Sequence, residues 1–121
     1  MKSTSLKPGK QRRSQTLAPR HAKAKALAAH VNEKLALELN RRAIPVRKND
    51  EVVVVRGEHT GKRGKIIGVR YPTGRILIEK IVRKKSDGTE IPVAIDASNV
   101  QVVELDRTDK RRTLALQPKT K

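Results

Sequence analysis

Residues 50–67 read Asp50-Glu51-Val52-Val53-Val54-Val55-Arg56-Gly57-Glu58-His59-Thr60-Gly61-Lys62-Arg63-Gly64-Lys65-Ile66-Ile67, and they decide the fold. Four consecutive valines suit a strand covered on both faces better than a helix, where β-branched side chains lose rotamer freedom. Gly57, Gly61 and Gly64 let the chain turn sharply and approach another surface closely. Among them stand Arg56, His59, Lys62, Arg63 and Lys65, with Glu58 as the only acid between Val55 and Ile66. The pattern is strand, cationic loop, strand, and it implies an anionic target.

The charge of the whole chain points the same way. Its 121 residues carry 29 Lys and Arg against 12 Asp and Glu, a formal net charge of +17. Residues 1–48 hold 13 basic and 2 acidic side chains, residues 49–105 hold 10 and 8, and residues 106–121 hold 6 and 2. A nearly balanced middle flanked by two basic extensions is the layout of a folded module with nucleic-acid-binding arms. With no Phe or Trp and a single Tyr, the chain lacks the stacking platforms used by readers of single-stranded nucleic acid. Contacts to phosphate, sugar and overall shape remain. A core confined to roughly 57 residues is marginal by surface-to-volume scaling, so a bound partner is expected to supply part of the ordering free energy.

Outward from the decisive stretch, several short strands follow at close spacing. Tyr71-Pro72-Thr73-Gly74 reads as a turn, Arg75–Glu79 as a strand, and Ile81–Lys85 as extended chain. Asp87-Gly88 predicts a hairpin with a tight primed turn, and Pro92 places the returning strand at an edge or bulge. After a turn at Asp96–Asn99, Val100–Leu105 is the last strand. About five strands in under 60 residues imply a small, strongly bent SH3-like barrel. The fold class is therefore mainly β: a barrel over residues 46–105, a basic, partly helical extension over 1–45, and a short basic tail over 106–121. Within the extension, residues 1–18 read as an arm that is disordered when free. Leu27, Val31, Leu35 and Leu39 then lay an apolar stripe along one helix or two, with Asn32 able to cap the second. The tail holds Lys110-Arg111-Arg112 and one short helical turn.

Catalysis and cofactors find no support. Gly57 to Gly61-Lys62 is one residue short of a phosphate-binding P-loop, Arg63 stands where Ser or Thr should hold magnesium, and a strand replaces the helix. His21, His30 and His59 lie in separate segments and Cys is absent, so no metal site is expected. Asp50, Glu51 and Glu58 balance neighbouring cations without a positioned nucleophile. No 18-residue apolar run exists, so no membrane span is expected.

Asn49-Asp50-Glu51 through Lys65-Ile66-Ile67 resembles a KOW motif, found in ribosomal proteins and transcription elongation factors. The flanks Ile44–Lys48, Asp87-Gly88-Thr89, Ile91-Pro92-Val93 and Ser98-Asn99-Val100 are similar to the archaeal and eukaryotic branch of one large-subunit ribosomal protein family. That family is numbered twenty-four in bacteria and twenty-six in eukaryotes. Ala18–His21 and Ala29–Lys34 resemble its amino-terminal extension, while Asp96-Ala97 departs from its usual His-Pro. Residues 1–30 have the composition of a transit peptide, but they match this extension and run on into the helical stripe.

The resemblance implies a non-enzymatic constituent of the cytoplasmic large ribosomal subunit. It would bind the 5′ region of the large-subunit rRNA early in assembly, near the exit of the nascent-chain tunnel. Neighbouring ribosomal proteins and nascent-chain factors would be its other partners, with no homo-oligomer. A transcription elongation factor using the same barrel is the alternative.

Expected RNA contacts are Arg56, Gly57, His59, Gly61, Lys62, Arg63, Gly64 and Lys65 in the loop and the start of the following strand. In the extension they are Lys10, Arg12, Arg13, Arg20, Lys23, Lys25, Arg41 and Arg42. Arg47, Lys48, Lys84, Lys85, Lys110, Arg111 and Arg112 complete the set. About ten phosphate contacts would lower affinity by roughly 10³–10⁵ between 50 and 200 mM salt.

Overall fold

The computed structural model describes residues 5–118. Residues 1–4 and 119–121, the ends of the expected arm and tail, lie outside them. Seven strands form one sheet: β1 (Ala28–Val31), β2 (Ala43–Pro45), β3 (Glu51–Val54), β4 (Arg63–Arg70), β5 (Arg75–Lys84), β6 (Glu90–Asp96) and β7 (Val100–Glu104). Their spatial order is β2-β1-β7-β3-β4-β5-β6. The five strands β3 to β7 make the open, barrel-like sheet of an SH3-like fold. Four helices, α1 (Pro8–Leu17), α2 (Arg20–Ala26), α3 (Glu33–Leu39) and α4 (Lys110–Leu116), lie outside it in sequence.

The core is aliphatic and largely β-branched. Ile44, Val52, Ile66, Ile76, Ile78, Ile81, Val100 and Val102 are all fully buried, and each such side chain contributes about 1.5–3 kcal/mol relative to exposure. The valine run alternates, however: Val52 and Val54 point inward, while Val55 is 43% exposed. The expected two-faced burial is thus replaced by the one-faced burial of an antiparallel strand, because β3 pairs antiparallel with both β4 and β7.

Two irregularities bend the sheet. Register shifts between Ile66 and Gly68 on β4, and between Leu77 and Val82 on β5, split the long strands into two arms. Lys80, inside the second shift, takes a positive φ of 68°. Such bulges increase local twist and let a short sheet curl over a small core. The hairpin between β5 and β6 forms where Asp87-Gly88 predicts it, but not as a primed two-residue turn. Only Gly88 has positive φ, and the loop closes through Lys85 N–H to Thr89 O at 2.8 Å. A three-residue loop with glycine in the left-handed region satisfies the same sequence. Pro92 sits on β6, the edge strand, where its missing N–H is harmless.

The extension departs most from the helical reading. Leu27, Val31, Leu35 and Leu39 are all buried, yet β1 interrupts the helix between them. Ala28–His30 pairs antiparallel with β2, and His30–Val31 runs parallel to β7. Sheet pairing overrides the helix propensity of the alanines. Asn32 stands at the N-cap of α3 without a side-chain cap bond, and its N–H donates to Val102 O at 2.9 Å. Asn40 ends α3 in the left-handed conformation. Residues 8–17, expected to be disordered, form α1, with Pro8 in its first turn and no residue buried.

Candidate nucleic-acid interface

The connection from β3 to β4 is built as a rigid platform. Gly61 N–H donates to Val54 O at 2.7 Å, the Thr60 hydroxyl to Gly57 O at 2.6 Å, and Lys62 N–H to His59 O at 3.1 Å. Gly57 and Gly61 hold φ of 97° and 89°, which a Cβ would disfavour. From outside the loop, Asn99 O accepts the N–H groups of Val55 and Arg56 at 2.9 and 3.3 Å. The backbone of the Ser98-Asn99 turn therefore anchors the loop, a role that residue type alone does not signal. Arg56 and Lys62 are exposed, and Lys62 Nζ lies 3.2 Å from His59 Nδ1.

Gly64 and Arg63 answer internal needs. A Cβ on Gly64 would lie 2.8 Å from the Glu79 carbonyl oxygen, so the close approach this glycine permits is to β5 of its own chain. Arg63 on β4 pairs with Glu51 on β3 and reaches Glu104 on β7 at 3.9 Å, bridging three adjacent strands. The Arg63 side-chain hydrogen bond holds the Glu51 carboxyl below the usual carboxylate range. Lys65, opposite Glu51, is exposed.

Arg112 requires a correction. Its side chain is only 6% exposed and meets Asp50, which is fully buried. Arg112 Nη1 donates to Asp50 Oδ1 at 2.6 Å and Nη2 to Asp50 Oδ2 at 2.5 Å. The same guanidinium bonds Asp106 O and Pro45 O at 3.2 and 3.1 Å. Asp50 also accepts the N–H groups of Arg47 and Asp106, both at 3.0 Å. Both charges are thus desolvated, and Asp50 accepts four hydrogen bonds while Arg112 donates four. A tail cation expected on RNA instead fastens α4 to the start of the barrel.

Other arginines are tied as well. Arg47 pairs with Asp109 at 2.7 Å, and Arg41 donates to Ala115 O at 2.9 Å. Asp109 caps α4 by accepting Arg111 N–H, and its carboxyl is pulled below the usual range first by Arg47 and then by that N–H. Arg107 pairs with Glu38 at 2.6 Å and Arg75 with Asp96 at 3.4 Å. Lys23 Nζ donates to Thr16 O, and Arg20 lies over the Tyr71 ring.

The remaining expected cations are exposed, with no ion pair among the described residues. Lys10, Arg12 and Arg13 lie on α1, Lys25 on α2, and Arg42 and Lys48 flank β2. Lys84 and Lys85 stand at the hairpin, and Lys110 and Arg111 on the open side of α4. Among the described residues, no three metal-ligating side chains come together, and no helix is long and apolar enough to cross a membrane.

A bent five-stranded barrel with a braced cationic loop and basic flanking helices defines a KOW-class β protein. Residues 5–119 match the family of ribosomal proteins called L26 in eukaryotes and L24 in archaea, and the chain belongs to that family. It is 44% identical over 117 residues to large ribosomal subunit protein uL24 of Saccharolobus solfataricus, covering 97% of this chain and 98% of that one. The uL24 of Korarchaeum cryptofilum is 40% identical over 98% of this chain and 91% of its own length. That of Haloarcula marismortui is 37% identical over 93% and 94%.

Proposed function

We propose that this chain is a structural constituent of the cytoplasmic large ribosomal subunit and binds the large-subunit rRNA through phosphate and shape contacts. The observation that carries this reading is the division of labour among its cations. Arg47, Arg63, Arg75, Arg107 and Arg112 are paired with acids of the fold, while Lys62, Lys65, Lys48, Lys84 and Lys85 stand exposed and without an ion pair among the described residues. An internally paired arginine holds the shape, and an unpaired cation can release counterions from RNA. Membership of a family whose relatives are named as large-subunit proteins supports the same assignment. In this reading residues 46–105 present the braced loop, and the exposed cations of segments 1–45 and 106–121, which pack on the barrel through β1, β2 and α4, widen the RNA-facing surface. The 5′ region of the rRNA, early assembly, and a position near the tunnel exit beside neighbouring proteins and nascent-chain factors complete the proposal.

The test is affinity for a transcript of that 5′ region, measured across salt concentrations. Lys62→Ala together with Lys65→Ala should weaken binding and reduce the slope of log affinity against log salt by about 2. Arg63 is left in place so that the strands stay bridged. An unchanged slope with a folded variant would remove the loop from the interface.

A further inference from the structure

Tyr71, the chain's only aromatic residue, borders three adjoining open clefts of about 450, 560 and 350 Å³. It begins the turn between β4 and β5 and is half-buried. The Arg20 guanidinium carbon lies 5.0 Å from its ring centroid. Lys23 and Arg70 line one of these clefts and Lys48 another. The acids on the walls are engaged: Asp109 by Arg47, Asp96 by Arg75 at 3.4 Å, and Asp106 by the N–H and hydroxyl of Thr108. Among the described residues, Lys48 and Arg70 have no ion-pair partner and nothing hydrogen-bonds the Tyr71 hydroxyl.

We propose that the Tyr71–Arg20 pair is a stacking site for one unpaired RNA base, whose phosphates are held by the cations around the clefts. A ring and a guanidinium plane together present a π surface of the kind on which bases stack. The uncompensated positive charge beside it selects a ligand that carries phosphate rather than a neutral peptide. Bases inside a duplex have their faces covered, so the nucleotide must come from a bulge, loop or junction. A lone aromatic cannot read a strand, but it can seat one base and fix the register of a contact made otherwise through phosphates. The inference rests on the RNA-binding reading above.

The experiment compares the full native chain, Tyr71→Leu and Tyr71→Phe on the 5′-region transcript across salt concentrations. Tyr71→Leu should bind about 5- to 150-fold more weakly at every salt concentration, the range that loss of one base–aromatic stack produces. Its salt slope should stay at the native value, because a neutral ring releases no counterion. Tyr71→Phe, which keeps the ring, should restore most of the affinity.

A Tyr71→Leu variant that binds like the native chain overturns the proposal. So does one whose slope falls, because the ring would then serve only to aim Arg20 at a phosphate. Unchanged RNA affinity combined with lost binding of a neighbouring subunit protein would give the cleft to a peptide, and likewise overturns it. Should Tyr71→Leu fail to fold, the native chain decides: Tyr71 is its sole tyrosine or tryptophan fluorophore, and saturating RNA should quench its emission after correction for RNA absorbance. Unchanged emission would overturn the stacking site alone. Failure of the native chain to bind the transcript would overturn the RNA reading itself.

Discussion

At the scale of residues, the bond between Asp50 and Arg112 has the largest structural consequence. Asp50 receives two bonds from the guanidinium and two from backbone N–H groups, so its carboxylate is fully satisfied out of water. Such a pair adds little over an apolar one, but breaking it strands a buried charge. Arg112→Ala should therefore cost about 3–5 kcal/mol in urea unfolding, far more than the alanine variant of its exposed neighbour Arg111. Equal, small losses at both positions would contradict the clasp.

The acids nearer the surface give a second residue-scale expectation. Glu51, Asp106 and Asp109 all titrate below the ordinary carboxylate range, owing first to Arg63, to the Thr108 N–H and to Arg47 respectively. A depressed folded pKa contributes stability that is fully present above the unfolded value, near about 4, and is lost as pH falls through the folded value. The thermal midpoint should be flat above that range and fall on further acidification, with Glu51→Gln shallowing the fall. A midpoint that rises in acid would contradict these pairings.

At the scale of elements, the packing of β4 over β5 depends on Gly64. A Cβ there meets backbone oxygen and the Ile78 methyl at 2.8 and 2.9 Å, and backbone cannot step aside as a flexible side chain can. Gly64→Ala should destabilise the barrel by about 1–3 kcal/mol, lowering the unfolding midpoint while leaving the loop cations untouched. A neutral outcome would mean that the strands separate there at no cost. Strand and turn positions were legible in the sequence wherever the signal was local: the valine run, Tyr71–Gly74, Asp87-Gly88 and the edge proline. What escaped was non-local. Nothing near Ala28–Val31 announces a strand, because its partners β2 and β7 lie at 43–45 and 100–104, and only their open edges make it one. The clasp joins positions 62 residues apart, and a basic run gives no sign of which member turns inward. In Lys110-Arg111-Arg112 it is the third, because α4 turns that residue toward the core alongside Leu116.

At the scale of the whole molecule, a net charge of +17 surrounds a small core without Phe or Trp. Folding confines that charge on a compact surface, and binding of a polyanion would relieve the repulsion. The barrel and its family were legible because the motif and its flanks are contiguous in sequence. The interface was legible only as a list of cations, and the structure sorts them into those that brace the fold and those left exposed.

The most direct measurement is sedimentation of native cell extract through a sucrose gradient, with this chain followed by mass spectrometry. One copy per large subunit is the expected result. Absence from that fraction, with recovery beside RNA polymerase, would contradict the assignment and place the same barrel in transcription.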